Sequence, residues 1–68
     1  MTIHKIIKQL REKKGLSQER LATLSGLDIS FISMIERGKR TPSLQSIEKI
    51  AFALDIQSWE IVKFIEED

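Results

Sequence analysis

The stretch SQERLATLSGLDISFISMIERG, residues 17–38, contains two short helical patterns separated by a glycine. Ser17 is a favourable N-cap for the first pattern, and Gly26 ends it because glycine adopts the left-handed conformation at little cost. Asp28 is the N-cap of the second pattern, which Gly38 ends. Two helices joined by about three residues, with small residues at the joint, predict a helix-turn-helix over about 17–38.

The second helix of this pair has two different faces. When each residue advances the helix by about 100°, Phe31, Ile32 and Ile35 share one arc, with Glu36 at its edge. That arc is the predicted core face. The opposite arc combines apolar, hydroxyl and basic side chains: Ile29, Ser30, Ser33, Met34 and Arg37. A helix that enters the DNA major groove presents such a face to base edges, whereas a solvated face without a partner is the alternative.

The composition describes one small domain with an uneven charge distribution. The chain has 68 residues and no cysteine, which excludes disulfides and thiolate metal sites and fits a cytoplasmic location. No apolar run is long enough for a bilayer, so no membrane association is expected. Residues 1–40 contain nine Lys/Arg against four Asp/Glu, giving +5, and residues 41–68 contain two against six, giving −4. This polarity indicates a basic surface for nucleic acid, although solvated helix faces also produce it.

Apolar periodicity predicts three further helices. Ile3, Ile6, Ile7 and Leu10 follow the i, i+3, i+4, i+7 spacing, so residues 3–14 form an amphipathic helix. Ser43 begins a fourth helix, and residues 58–66 form a fifth. The apolar sides of the second and fourth helices are assigned to Leu21, Ala22 and Leu24, and to Leu44, Ile47, Ile50, Ala51 and Leu54. No segment alternates with period two, so the predicted fold class is all-α, a compact five-helix domain over residues 1–68.

The segment LSQERLATLSGLDISFISMIERGKRTPSL resembles the helix-turn-helix of the lambda repressor/Cro (XRE) family. The similarity continues upstream through IKQLREKKG and downstream through IEKIAFAL. Within the family, LREKKGLSQ and IERGKRTPSL are most similar to restriction–modification controller proteins and to small phage-type or SinR-like repressors. The resemblance implies a lambda-repressor-like domain that binds double-stranded DNA. Controllers commonly begin the recognition helix with Arg-Thr-Tyr, where this chain has Ile29, Ser30 and Phe31.

The resemblance also implies roles for individual residues. Ser30, Ser33 and Met34 match positions that reach base edges, with Ile29 nearby. Phosphate contacts are implied for Gln18, which can also brace the recognition helix, and for Arg37, Lys39 and Arg40. Arg20 departs from the Ser-x-x-Glu capping box that is common at this place, and it is a further predicted phosphate contact. A solvated first-turn residue is the alternative for Gln18, and a basic helix end that complements the macrodipole is the alternative for Arg37 and its neighbours.

Arg11 and Glu36 match an ion pair that, in family members, joins the first helix to the end of the recognition helix. Glu36 lies at the core-side edge of its helix, which agrees with that role. A partly buried bidentate pair would fix the angle of the recognition helix. Direct phosphate contact by Arg11 is the alternative.

The predicted fifth helix has more apolar surface than one core requires. Trp59, Ile61, Val62, Phe64 and Ile65 occupy about 220° of its circumference, whereas about 100° is enough to cover a core. We therefore expect a homodimer on an inverted-repeat DNA site, with Ile61 and Phe64 packed within each chain. The alternative is a small domain that needs every apolar residue for its own core. The predicted interface residues are Phe52, Trp59, Val62 and Ile65.

Enzymatic function is not expected. His4 is the single histidine, Glu66-Glu67-Asp68 is an acidic terminus rather than a positioned pair, and no phosphate loop or metal-ligand spacing occurs. No metal, cofactor or small-molecule ligand is therefore predicted. The favoured function is a sequence-specific transcriptional regulator, for which RNA polymerase is a further candidate partner through Glu19. The alternative is an interaction module such as an antitoxin, although the chain ends too soon after the fifth helix for a toxin-binding tail.

Overall fold

The computed structural model describes residues 1–66, and Glu67 and Asp68 of the predicted acidic terminus lie outside it. The prediction of an all-α fold is confirmed, since residues 1–66 form helices and connecting turns without a strand. Each predicted helix is present within a residue or two of its expected bounds. The five helices are α1 (Ile3–Lys13), α2 (Gln18–Ser25), α3 (Ile29–Glu36), α4 (Leu44–Ala53) and α5 (Ser58–Glu66).

Side-chain caps begin the three central helices where the sequence predicts them. Ser17 Oγ accepts a hydrogen bond from the Arg20 amide at 3.0 Å, and Ser43 Oγ accepts one from the Ser46 amide at 3.1 Å. Asp28 caps α3 in the same way. Because a cap satisfies an amide that has no partner within the helix, each one holds the start of its helix in place.

Left-handed residues produce the sharp turns between helices. Gly26 has φ 73° and joins α2 to α3, and its amide donates to the Ala22 carbonyl. This places the two helices close together at the joint of the helix-turn-helix. Asp55, between α4 and α5, also has a positive φ of 59° although it is not a glycine. The sequence did not identify this turn type, since aspartate is less strongly associated with the left-handed region than glycine.

Two adjoining apolar clusters form the core. The larger cluster packs the first four helices together through seven buried residues: Ile7, Leu21, Ala22, Ile32, Ile35, Ile50 and Leu54. The smaller cluster of Ile6, Ala51 and Ile61 attaches α5 to α1 and α4. The core therefore packs against the face of α3 that carries Ile32 and Ile35, and the opposite face of α3 lies at the surface. No helix within residues 1–66 has the length and apolar composition that crossing a bilayer requires.

Two leucines assigned to the core from the sequence are instead exposed. Leu24 lies about 60° outside the arc of α2 that buries Leu21, Ala22 and Ser25, so its side chain faces outward. Leu44 has the correct angle, but it is the first residue of α4 and 68% of its surface is exposed. Periodicity identifies the direction of a side chain around a helix, but it does not show how far along the helix the packing extends.

Candidate nucleic-acid interface

The outer face of α3 separates the predicted base-contacting residues into two groups. Ile29 is 45% exposed and Ser30 is also exposed, whereas Ser33 and Met34 are half-buried. Ile32 and Ile35, on the opposite face, are completely buried. The first turn of α3 is thus its most accessible part, with Ser33 and Met34 at the edge of the same surface.

Asp28 and Ser30 form a compact hydrogen-bonded unit at the start of α3. The Ser30 amide donates to Asp28 Oδ1 at 2.8 Å, and the Ser30 hydroxyl donates to the same oxygen at 2.6 Å. These two hydrogen bonds lower the pKa of the Asp28 carboxyl below its ordinary value, and the one from the hydroxyl is the larger cause. The sequence identified Asp28 as a cap, but the additional bond to the Ser30 hydroxyl was missed.

A buried ion pair lies beneath the end of α3. Arg11 Nε donates to Glu36 Oε2 at 2.7 Å, and Arg11 Nη2 donates to Glu36 Oε1 at 3.0 Å. The hydrogen bond to Glu36 raises the pKa of Arg11 against the opposing effect of burial. Arg11 Nη1 also donates to the Leu16 carbonyl at 2.7 Å. The bidentate pair therefore joins α1 to α3 and to the connection that precedes α2.

Gln18 extends this ion pair to the second helix. Its Nε2 donates to Glu36 Oε1 at 3.1 Å, and its side chain is half-buried. Glu36 consequently accepts hydrogen bonds from α1 and α2 at once. Within residues 1–66, no buried side-chain nitrogen or oxygen lacks a partner. We call Arg11, Gln18 and Glu36 the bracing network, since it connects the two helices of the helix-turn-helix to α1.

Exposed basic side chains lie on α2 and at the end of α3 and the turn that follows it. The four predicted phosphate-contacting residues other than Gln18 are all exposed: Arg20, Arg37, Lys39 and Arg40. Arg40 is also held by an aromatic ring, since its guanidinium carbon lies 5.5 Å from the centre of Phe31. The sequence did not predict this contact, because the two residues lie nine positions apart and across a turn.

The turn after α3 packs against the first helix. The Lys39 amide donates to the Met34 carbonyl at 2.8 Å, which closes the turn at Gly38. The His4 ring lies so near that a Cβ built on Gly38 would be 3.3 Å from His4 Nδ1. His4, considered in the sequence only as an unlikely catalyst, is therefore a packing residue behind the basic turn.

Apolar side chains remain exposed on α4 and α5. Phe52 is 81% exposed and Trp59 is 60% exposed, and Val62 and Ile65 are also exposed. We call these four residues the apolar surface. Ile61 is completely buried, as expected. Phe64 is 38% exposed, so most of its surface is covered within the chain, also as expected, and it lines a cavity between α1 and α5 beside Leu10 and Lys13.

The fold and the braced outer face of α3 define a helix-turn-helix DNA-binding domain. The chain belongs to the helix-turn-helix family, whose model matches residues 7–58. The predicted membership of the lambda repressor/Cro family and the predicted class of DNA-binding regulator are thereby confirmed.

The similar proteins include controller proteins of restriction–modification systems. The control protein C.BamHI of Bacillus amyloliquefaciens is 44% identical over 59 residues, which are 85% of this chain and 73% of that protein. The structure of the controller protein C.AhdI from Aeromonas hydrophila is 51% identical, with a TM-score of 0.84 over 87% of this chain and 89% of that one. The controller C.Esp1396I, solved as a tetramer with its 35-base-pair operator, is 34% identical, with a TM-score of 0.87 over 96% and 86% of the two chains.

Proposed function

We propose that this protein is a sequence-specific transcriptional regulator that binds an inverted-repeat operator as a homodimer, with α3 of each copy in the major groove. The observation that carries this proposal is the accessible face of α3 above the buried bracing network. Burying charged groups costs free energy unless they are well paired, so a buried ion pair would not be needed to hold a helix that only faces solvent. A helix that contacts base edges must be held at a defined angle, and the buried pair can hold it there.

The side chains around α3 divide into two proposed roles. Ile29 and Ser30 are the most accessible and contact base edges, with Ser33 and Met34 contributing at the edge of the interface. The surrounding basic residues contact phosphates and orient the domain on the duplex without selecting a sequence: Arg20, Arg37, Lys39 and Arg40. Gln18 also orients the domain on the duplex through a phosphate contact, while its side chain holds Glu36 by a hydrogen bond.

The proposed homodimer rests on the apolar surface of α4 and α5. In a small domain, exposed rings such as Phe52 and Trp59 are a candidate contact for another protein. A two-fold contact on this side would present two α3 helices about 34–36 Å apart, one turn of duplex. The related C.Esp1396I is a tetramer on its operator, which supports assembly of several copies on DNA.

The proposal extends to how the regulator acts. We propose that it functions in the cytoplasm, where it controls promoters that include its own, and that exposed Glu19 of α2 is the candidate contact for RNA polymerase. Since assembly depends on protein concentration, the concentration of the protein and its dimerisation are the proposed means of control.

Selection of bound duplexes from a random pool, followed by footprinting upstream of the gene itself, tests the proposal. The expected result is an enriched inverted repeat and a footprint at the same sequence. Replacement of Arg40 by alanine should weaken binding to all duplexes about equally, whereas replacement of Ile29 should change the selected sequence. Lys49→Ala, an exposed lysine in the acidic half, is the matched control and should do neither. Absence of duplex binding at low salt would refute the proposal.

A further inference from the structure

Ser30 is an exposed residue whose hydroxyl group is already engaged within the protein. Its oxygen lies 2.6 Å from Asp28 Oδ1, and its backbone amide binds the same carboxylate oxygen at 2.8 Å. The hydrogen bond from the Ser30 amide fixes the carboxylate relative to α3, and the hydrogen bond from the Ser30 hydroxyl then fixes the serine rotamer. Ser30 therefore presents its oxygen in a defined orientation before any ligand is bound.

The direction of this hydrogen bond follows from the chemistry of the two groups. An ionised carboxylate has no hydrogen to donate, so the hydrogen between the two oxygens belongs to Ser30. An exposed aspartate is charged at neutral pH, and the bonds from Ser30 lower the pKa of Asp28 below its ordinary value. A serine hydroxyl has one hydrogen, and Asp28 occupies it. The part of the Ser30 oxygen that remains available offers lone pairs only.

We propose that Ser30 is a specificity-determining residue that accepts a hydrogen bond from the exocyclic amino group of an adenine or a cytosine in the operator. This inference rests on the proposed placement of α3 in the major groove. There, adenine N6 and cytosine N4 are donors, whereas guanine O6 and N7 and thymine O4 are acceptors. An unconstrained serine can satisfy either kind. A serine whose hydrogen is held by Asp28 is paired with an amino group and repelled by a carbonyl.

Asp28 has a second effect in the same direction. Its negative charge lies beside the Ser30 oxygen, so the local field favours the partly positive hydrogens of an amino group over a carbonyl oxygen. Asp28 thus acts as a positioning residue, because it controls what Ser30 can recognise without itself needing to touch the base. Substitution of Asp28 by asparagine separates the effect of this charge from helix capping, since asparagine is an equally good N-cap.

Base analogues provide the decisive experiment. Selection with the wild-type protein and with Ser30→Ala first identifies the operator position whose preference depends on Ser30. At that position, adenine is replaced by purine, which lacks the 6-amino group, or cytosine by pyrimidin-2-one, which lacks the 4-amino group. The expected loss of affinity for the wild-type protein is about two- to tenfold, the range of one net hydrogen bond. The same analogue should have no further effect on Ser30→Ala, which also corrects for weaker base pairing.

Four further variants sharpen the result. Ser30→Thr keeps a hydroxyl next to Asp28 and should keep the preference. Asp28→Asn keeps the oxygen that accepts from Ser30 and removes the charge, so it should keep the preference in weaker form. Asp28→Gly removes the acceptor while glycine remains a tolerated N-cap, so it should tolerate a guanine or thymine carbonyl at the same position. Ser46→Ala, a serine of α4 that lies outside the proposed DNA interface, is the matched serine control and should leave that position unchanged. Circular dichroism of each variant separates a lost contact from a lost fold.

Two results would overturn the inference. One is an amino-group deletion that weakens the wild-type protein and Ser30→Ala equally. The other is a Ser30-dependent preference that the analogues trace to a keto group. Both differ from failure of the proposed function, in which the wild-type protein would select no duplex at all and the inference would be lost with it.

Discussion

The α1–α3 half and the α4–α5 half of the molecule differ in what they leave unsatisfied. In the first half, Arg11, Gln18 and Glu36 satisfy one another within a single chain. In the second half, large rings such as Phe52 and Trp59 remain in water although the domain is small. The DNA-facing half is therefore organised before any partner arrives, whereas the other half has apolar surface that a partner would cover. Changes in the two halves should have different consequences.

The largest expected effect concerns the basic residues around α3. If a dimer neutralises about six to ten phosphates, its affinity for DNA should fall by ~10³–10⁵ between 50 and 200 mM salt, because bound cations return to the duplex. Fluorescence anisotropy over a salt series measures the slope. Arg40→Ala removes one phosphate contact from each copy of the dimer and should reduce the slope by about two, and a flat slope would contradict the role assigned to this half.

Removal of one partner of the buried pair comes next. Arg11→Ala or Glu36→Ala should lower the free energy of unfolding by ~3–5 kcal/mol, since each leaves a charge buried and unpaired. Replacement of both by apolar residues, Arg11→Met with Glu36→Leu, should cost less than either single change. Urea denaturation of the wild-type protein, Arg11→Met, Glu36→Leu and the variant that carries both forms a double-mutant cycle. A coupling energy near zero would mean that the pair contributes nothing to the angle of α3.

The α4–α5 half should respond through assembly rather than folding. Val62→Glu should weaken dimerisation roughly a hundredfold, because a two-fold contact buries the new charge in both copies at a cost of about 1–3 kcal/mol each. Sedimentation velocity measures the change, and circular dichroism should show an unchanged fold. Gln45→Glu, which adds the same single negative charge at an exposed position of α4, is the control. A wild-type protein that stays monomeric at tens of micromolar would remove the basis of this prediction.

The glycines in the two turns that flank the helix-turn-helix allow backbone strain to be separated from a specific side-chain contact. Gly15 and Gly38 have φ 73° and 74°, so alanine should cost about 1–2 kcal/mol at either position. Only at Gly38 does the new Cβ approach His4. Gly38→Ala should therefore be the more destabilising variant in thermal melts, and His4→Ala should remove the difference. Equal melting temperatures for the two glycine variants would mean that the His4 ring moves aside freely.

The sequence predicted the fold through local signals that do not depend on tertiary distances. Ser17, Asp28 and Ser43 each cap the helix expected of them because a cap is formed by residues two or three positions apart. The position of Glu36 at the core-side edge of α3 followed from helix geometry. Its partner Arg11 lies 25 positions away, and the resemblance to a family supplied it, since no local pattern could.

What the sequence did not predict depends on how elements meet. Exposure of Leu44 depends on where packing along α4 ends, and the Phe31–Arg40 contact depends on the path of the turn between them. The additional bond of Ser30 to Asp28 is local, but it requires one serine rotamer out of three. Side-chain rotamers and helix ends therefore determine the details of this interface, whereas the helical pattern determines its location.

The smallest expected effect concerns the Asp28 carboxyl and its bonds from Ser30. A carboxyl whose pKa is lowered in the folded state adds stability above its unfolded pKa, and that stability is lost as the pH falls through the lower folded pKa. Nuclear magnetic resonance titration should accordingly find the pKa of Asp28 below its ordinary value. In Ser30→Ala the hydrogen bond from the hydroxyl, which is the larger cause of the lowered pKa, is absent. The hydrogen bond from the backbone amide remains, so the pKa of Asp28 should rise only part of the way to its ordinary value. Ser33→Ala should not change it. An unchanged pKa in Ser30→Ala would mean that the hydroxyl does not donate to Asp28, and its hydrogen would then be available to a base carbonyl.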